Sequence, residues 1–303
     1  MKRLVHVLVC LAAVVGNTSF SHAEIVGVLN RDGSMALVPT GGGAPASIPN
    51  SFQGLGLSMD HSGNYIIATG SFLERVTPGG VSTLIATIST GQLVAVDMDA
   101  SGNYIVADNV QDRVLRINPA GTTITTVAAF PVSSPSEGQD DWVRVDKNGN
   151  YIVTDDSGLV GRIYVMTPGG SVTNLTLNGP AIPRIGGLTI NDAGNYVVTD
   201  YINNVIDVIT PGGVVSTLLS GHPFNELTGI AWDPSLQKYF FVDRGTNTLY
   251  SLSANGQTLA TVYSGSALSS PTGVAVPTPE PAALGLLAVG SVALLLKRRV
   301  RRL

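Results

Sequence analysis

The 303-residue chain contains a single cysteine, Cys10, and only four histidines. Cys10 lies in an apolar run from Leu4 to Gly16, so the rest of the chain has no disulfide, no thiolate metal ligand and no cysteine nucleophile. His6 and His22 belong to the same N-terminal stretch, leaving His61 and His222. Two histidines exclude a multi-histidine metal centre. Ser-His-Asp catalysis would have to recruit one of them, and no Gly-x-Ser-x-Gly elbow is present. Charge is scarce as well, at 13% of residues, and long helical patterns rich in Glu, Lys and Leu are absent. The charge that exists is lopsided. Residues 24–276 hold 10 basic and 20 acidic side chains, a net −10, while five basic residues crowd into 297–303. An acidic body argues against a nucleic-acid partner and against docking on anionic lipid.

What is present begins with two unusual ends. "MKRLVHVLVCLAAVVGNTSFSHA" has a basic start (Lys2, Arg3), an apolar run and a small-x-small close at Ser21-His22-Ala23. That order reads as a secretory signal peptide over residues 1–23. The other end, "VPTPEPAALGLLAVGSVALLLKRRVRRL", sets Pro279-Glu280-Pro281 before 15 apolar or small residues, Ala282 to Leu296. At about 1.5 Å per residue these reach roughly 22 Å as a helix, short of a ~30 Å hydrocarbon core. The basic stop that follows is Lys297, Arg298, Arg299, Arg301 and Arg302.

Between the ends the chain repeats. Gly-Asn-Tyr recurs at Gly63-Asn64-Tyr65, Gly102-Asn103-Tyr104, Gly149-Asn150-Tyr151 and Gly194-Asn195-Tyr196, with a degenerate copy at Gln237-Lys238-Tyr239. An Asp or Asn precedes each copy, and a β-branched run follows. A second turn comes next in each unit, as in Thr77-Pro78-Gly79-Gly80 and Thr210-Pro211-Gly212-Gly213. Proline sets φ for such a turn and glycine supplies the positive φ after it. Counting Asn30-Arg31-Asp32-Gly33 as the first copy, the glycines fall at 33, 80, 121, 170, 213 and 256. Spacing of about 40–45 residues with several short strands per unit is the mark of a propeller blade. Four strands per blade are predicted, in one unit Ile185–Asn191, Asn195–Asp200, Val205–Thr210 and Val214–Leu219. Glu24–Val38 matches the third and fourth strands of a unit, and Pro271–Val276 the first, so the two ends are expected to close one blade. That blade lacks a clear second strand. It is read as three-stranded or completed by Gly41–Ser51.

The unit "LVAVDMDASGNYIVADNVQDRVLRI", Leu93 to Ile117, resembles the NHL-type propeller repeat, and the resemblance spans about 24–276. The fold class it implies is all-β, a six-bladed propeller of mostly four-stranded blades. The ending resembles the PEP-CTERM sorting signal of bacterial surface proteins, with Pro279, Glu280 and Pro281 on its motif. That resemblance implies 277–303 is a sorting tail with a short transmembrane helix. An exosortase-type membrane peptidase would recognise and remove it, in an exopolysaccharide-making bacterium. The protein is then expected to be exported through the inner membrane, held briefly by the tail helix, and left at the cell surface or outside it. A monomer is expected, with exopolysaccharide or another surface protein as partner.

Two functions fit this organisation: a non-catalytic binding or structural platform, and a lyase or metal-dependent hydrolase. The Thr-Pro-Gly-Gly turns resemble those of virginiamycin B lyase-like propellers, and the plan resembles gluconolactonase-type hydrolases. The lyase resemblance implies a His and a Glu on the last blades, which only His222 and Glu226 could supply. No metal-binding trio can be placed for the hydrolase. Repeated acids close the second strands, Asp108, Asp155, Asp200 and Asp243. They suit either a Ca²⁺-binding ring or, once per blade, a bond to the next turn's backbone. Residues that break the repeat are the better ligand-face candidates: Glu137, Asp140 and Asp141, Asp156 and Arg184, Asp200 and Tyr201, His222, Glu226 and Arg244. All sit in second-to-third or fourth-to-first strand connections, which share one face of a propeller.

Overall fold

The computed structural model describes residues 25–48, 56–129, 141–155 and 160–277. Among them, 24 strands form six four-stranded antiparallel sheets. Blade II runs Gly56–Met59, Tyr65–Thr69, Phe72–Val76 and Ser82–Thr87, from the axis outwards. Blade III is Leu93–Met98, Tyr104–Asp108, Arg113–Ile117 and Ile124–Ala129; blade IV is Val143–Val145, Tyr151–Asp155, Arg162–Met166 and Val172–Asn174. Blade V is Ile185–Ile190, Tyr196–Asp200, Val205–Ile209 and Val215–Leu219; blade VI is Leu227–Asp233, Lys238–Asp243, Thr248–Ser253 and Leu259–Ser264.

Blade I joins the two ends, in the order Pro271–Ala275, Ile25–Asn30, Met35–Pro39, Ala46–Ile48. Gly27 pairs with Ala275 and Val28 with Val274, which closes the ring. The expected assignment within this blade needs correction. The N-terminal strands are the second and third, not the third and fourth, and the stretch after Gly41 supplies the fourth. The blade is four-stranded. The glycine turn at Asn30–Gly33 therefore joins second to third strand. The counterpart of Thr-Pro-Gly-Gly is Pro39-Thr40-Gly41-Gly42, where the amide of Gly42 donates to Pro39 O at 3.4 Å. A four-residue turn needs a carbonyl-to-amide bond and a residue tolerant of positive φ, whichever strands it connects. Gly33 (φ 88°) and Gly42 (φ 89°) both qualify.

The Gly-Asn-Tyr element has a separate task for each residue. In blade III, Asp99 Oδ1 accepts the amides of Ser101 and Asn103, and Asn103 Nδ2 returns a bond to Asp99 Oδ2 at 2.9 Å. Gly102 takes φ 79° between them. Tyr104 is buried against the preceding blade, where its hydroxyl accepts Arg75 Nη2 at 2.5 Å. In blade VI, Asn191 Nδ2 of blade V donates to Tyr239 in the same way. In these blades one short element thus makes the turn and ties the blade to its neighbour.

The apolar residues of the six sheets do not merge into one core. They divide into six clusters, each filling the gap between two adjacent blades. Leu29, Met35 and Leu37 of blade I meet Leu57, Ile67 and Val76 of blade II, for instance. Near the axis the innermost strands touch backbone to backbone. A Cβ on Gly229 would lie 2.5 Å from Thr272 O and 3.0 Å from Gly273 Cα.

No helix among the described residues is long and apolar enough to cross a membrane. The signal segment 1–23 and the tail, with Pro279, Glu280, Pro281, Lys297, Arg298, Arg299, Arg301 and Arg302, lie outside the described residues.

Candidate functional site

Second-to-third and fourth-to-first connections gather on one face, here called upper, and a backbone rule pairs them. In four of the six blades, I, III, V and VI, the residue just past the second strand donates its amide to the residue just before the innermost strand of the same blade. The bonds are Asn109 to Gln92 (3.1 Å), Tyr201 to Arg184 (2.9 Å), Arg244 to Glu226 (3.0 Å) and Arg31 to Ser270 (3.1 Å). Two side chains in each of these blades are thereby set side by side around the mouth of the channel. The neighbouring blades are locked as well. Asn204 of blade V (φ 53°) accepts the Glu226 amide at 2.8 Å, and Asn247 of blade VI (φ 52°) accepts that of Ser270 at 2.8 Å. Glu226 and Ser270 both hold positive φ, 67° and 47°. The repeat fixes these backbones, and the side chains on them are free to differ.

On blades V and VI this rim carries Arg184, Tyr201, Glu226 and Arg244. Arg244 Nε donates to Glu226 Oε2 at 2.9 Å and its Nη2 to the Tyr201 hydroxyl at 2.5 Å. The Tyr201 ring lies near both guanidinium groups, 5.0 Å from Arg184 and 5.1 Å from Arg244. Such contacts hold the cations over an aromatic surface. The hydrogen bond from Arg244 holds the Glu226 carboxyl below its ordinary range, with Tyr201 and the Arg31 charge acting in the same direction against a smaller burial effect. Burial pushes the Tyr201 phenol up. The group is therefore a carboxylate held among three guanidinium groups, with the Asp200 and Asp243 carboxyls buried beneath it.

Seven residues expected at the ligand face can be located, and four of them are the rim group: Arg184, Tyr201, Glu226 and Arg244. Asp200 is buried beneath it, and His222 stands apart on an exposed loop, its ring 5.4 Å from that of Phe224. Asp141, also located, is buried just ahead of the innermost strand of blade IV. Glu137, Asp140 and Asp156 lie outside the described residues. Arg31 belongs with the rim and escaped the sequence reading, because its turn was assigned to the wrong pair of strands.

The repeated acids are engaged in their own turns. Asp200 accepts the amides of Ile202 and Asn203 and the side chain of Asn203. Asp243 accepts Asn225 and Thr246, and Asp108 accepts the Gln92 amide and Arg113. This is a once-per-blade structural role. Among the described residues no cluster of three or more His, Cys, Asp or Glu could hold a metal ion.

Asp207, on the third strand of blade V, is buried. Burial raises its carboxyl above the ordinary value, outweighing the 2.7 Å bond from Thr217, and Asp200 adds like charge. A raised carboxyl favours the fold fully only below its unfolded value, and that contribution is lost as pH rises through the folded value. Asp207→Asn keeps an acceptor for Thr217 and removes the charge. It should raise the melting temperature at pH 7 by a few degrees, with the gain shrinking towards pH 4. Melts across that range check it; an equal gain at both ends would contradict the assignment.

No family model and no curated protein matches the chain. Solved structures do resemble it. A chain of a nidogen/laminin complex is 14% identical, with a TM-score of 0.67 over 84% of this chain and 98% of that one. Virginiamycin B lyase of Staphylococcus aureus is 16% identical, with a TM-score of 0.59 over 83% and 88%. Regucalcin of Agrobacterium tumefaciens, described as calcium-binding, is 17% identical, with a TM-score of 0.56 over 69% and 73%. At such identities the likeness is one of fold, that of an all-β, six-bladed, NHL-like propeller, carried by proteins with unrelated tasks.

Proposed function

We propose that the protein is an exported, non-catalytic binding platform whose upper rim takes an acidic glycan. In this reading residues 1–23 direct export and 24–276 form the propeller. The tail 277–303 is a PEP-CTERM signal cut by an exosortase-type peptidase, leaving the propeller on the cell surface or in an exopolysaccharide matrix. The observation that carries it is the Arg184–Tyr201–Arg244 group. A planar guanidinium matches the two oxygens of a uronate carboxylate, and the Tyr201 ring keeps both in place. The strand Pro271–Ala275 runs from the rim to the lower face, and the described chain ends there at Pro277. A tail leaving from that side turns the rim outward.

The lyase or hydrolase alternative has the structural likeness to virginiamycin B lyase in its favour. Against it, Glu226 is tied to Arg244 and Tyr201 rather than to His222.

The test is calorimetric titration of the propeller with polygalacturonate and with dextran. Binding should favour the acidic polymer and weaken with salt. Arg184→Ala/Arg244→Ala should weaken it by about tenfold or more, the loss of charge-assisted bonds. Equal affinity for dextran, or an indifferent double variant, would sink the rim assignment, and depolymerisation of the polymer would favour the enzyme. The tail is tested in the native host. Glu280→Ala should leave the propeller's melt unchanged and the tail uncut, read by the mass of the mature protein. Wild-type protein that keeps Lys297–Leu303 at steady state would make the tail an ordinary anchor.

A further inference from the structure

The innermost strands enclose a second feature at the opposite end of the channel. A cavity of about 200 Å³ opens there, walled by all six blades. Blades I to VI contribute, in turn, Val276, Ser58, Asp97, Arg144, Thr189 and Trp232 among others. Most of the wall is apolar, and Arg144 is its one cation.

Arg144 is only 9% exposed. Its Nη1 donates to Val96 O at 3.3 Å and Val143 O at 3.0 Å, while Nε and Nη2 have no protein partner among the described residues. No ion pair joins it to Asp97, whose carboxylate already accepts Ser58 Oγ (3.2 Å) and the Val145 amide (2.8 Å). Burial disfavours the Arg144 cation more than the nearby Asp97 charge, which forms no ion pair with it, supports it, and an apolar side chain of similar size would cost less. The repeat does not require arginine here, since the equivalent positions hold Ser58, Asp97, Thr189, Ala231 and Ala275.

We propose that this cavity binds a small monocarboxylate with an apolar body. The free donors of Arg144 pair with the carboxylate, the Thr189 hydroxyl lies in the same wall, and Trp232, Met59 and Val276 receive the apolar part. The volume admits a single small acid. The fixed charge of Asp97 disfavours a dianion such as phosphate, and one guanidinium suits one carboxylate. The site is separate from the rim and independent of the tail.

Trp142 and Trp232 are the chain's two tryptophans, and both flank the site: Arg144 lies 5.7 Å from the Trp142 ring, and Trp232 lines the cavity. Their fluorescence is therefore the readout. Benzoate or hexanoate should produce a saturable change and raise the melting temperature of the wild-type propeller, whereas benzamide and inorganic phosphate should do neither. Arg144→Met should melt at the same temperature or higher and lose the response. Arg144→Lys, which keeps a charge but not the fork, should bind benzoate about tenfold more weakly and decides the matter should the Met variant not fold. Asp97→Asn should bind more tightly, a gain that a purely structural arginine would not produce. Arg184→Ala/Arg244→Ala should bind benzoate normally. No saturable response to either acid, an equal response to benzamide, or benzoate affinity undiminished in the Arg144 variants would overturn the proposal.

Discussion

A chain that begins after Ile48 should show no cooperative thermal transition. Residues 25–48 supply three of the four strands of blade I. They bury Val26, Val28, Leu29, Met35, Leu37 and Val38 against blades II and VI. At about 1.5–3 kcal/mol for each large apolar side chain, the loss is on the order of 10 kcal/mol. Typical domains are stable by only about 5–15 kcal/mol in total. Removing the segment also bares the facing surfaces of both neighbours and leaves Pro271–Ala275 unpaired, an open edge prone to association. Calorimetry and near-ultraviolet circular dichroism of residues 24–276 and of the shortened chain make the comparison. A sharp transition within a few degrees of the parent's would mean that the ring does not depend on its closure.

Gly229→Val should be among the most damaging single substitutions. The atoms that its side chain would meet are Thr272 O, Gly273 Cα and Val274 N, all backbone of the adjoining innermost strand. A side chain in the way could rotate aside, but a hydrogen-bonded strand at the axis would have to shift whole. Overpacking typically costs about 1–3 kcal/mol, and a β-branched residue facing immovable backbone belongs at the top of that range or beyond. For a domain of this size that is roughly 10 °C in melting temperature. Gly41→Ala is the matched control, because nothing lies within 4 Å of its Cβ. It should leave stability unchanged or slightly raised, since alanine restricts the unfolded chain. A tolerated Gly229→Val would show that blades VI and I can part at the axis.

The architecture was legible because each blade repeats the same local chemistry. In blades II to V an Asp or Asn accepting amides, a glycine at positive φ and a buried tyrosine recur at fixed spacing, and each acts within a few residues of chain. Blade V illustrates this: its strands fall within a residue of where the apolar pattern put them. The closing blade was misread because Asn30–Gly33 and Pro39–Gly42 are both good turns, and a turn's chemistry does not record which strands it joins. The rim was partly legible as departures from the repeat, since Tyr201 and Arg244 follow the repeated Asp directly. Its missing member, Arg31, went with the misplaced turn. The lower cavity was not legible. Ser58, Asp97, Arg144 and Thr189 are far apart in sequence and meet only where six innermost strands converge. The one local sign was a charge inside a short apolar strand, as in Val143-Arg144-Val145.

Blade I also sets an order in time. Thr272 donates to the carbonyl of Leu29 across 243 positions of chain. A ribosome makes one side of that contact near the start of its work and the other near the end. Blades II to VI are each built from consecutive strands and can assemble as they emerge, but Ile25–Asn30 must wait for nearly the whole chain. Pairings so distant in sequence form slowly. Meanwhile any other unfinished copy offers an equivalent last strand, so crowded synthesis favours exchange of that strand between molecules. The yield of single closed rings should therefore fall with concentration during refolding, even though the finished ring holds no trace of the delay.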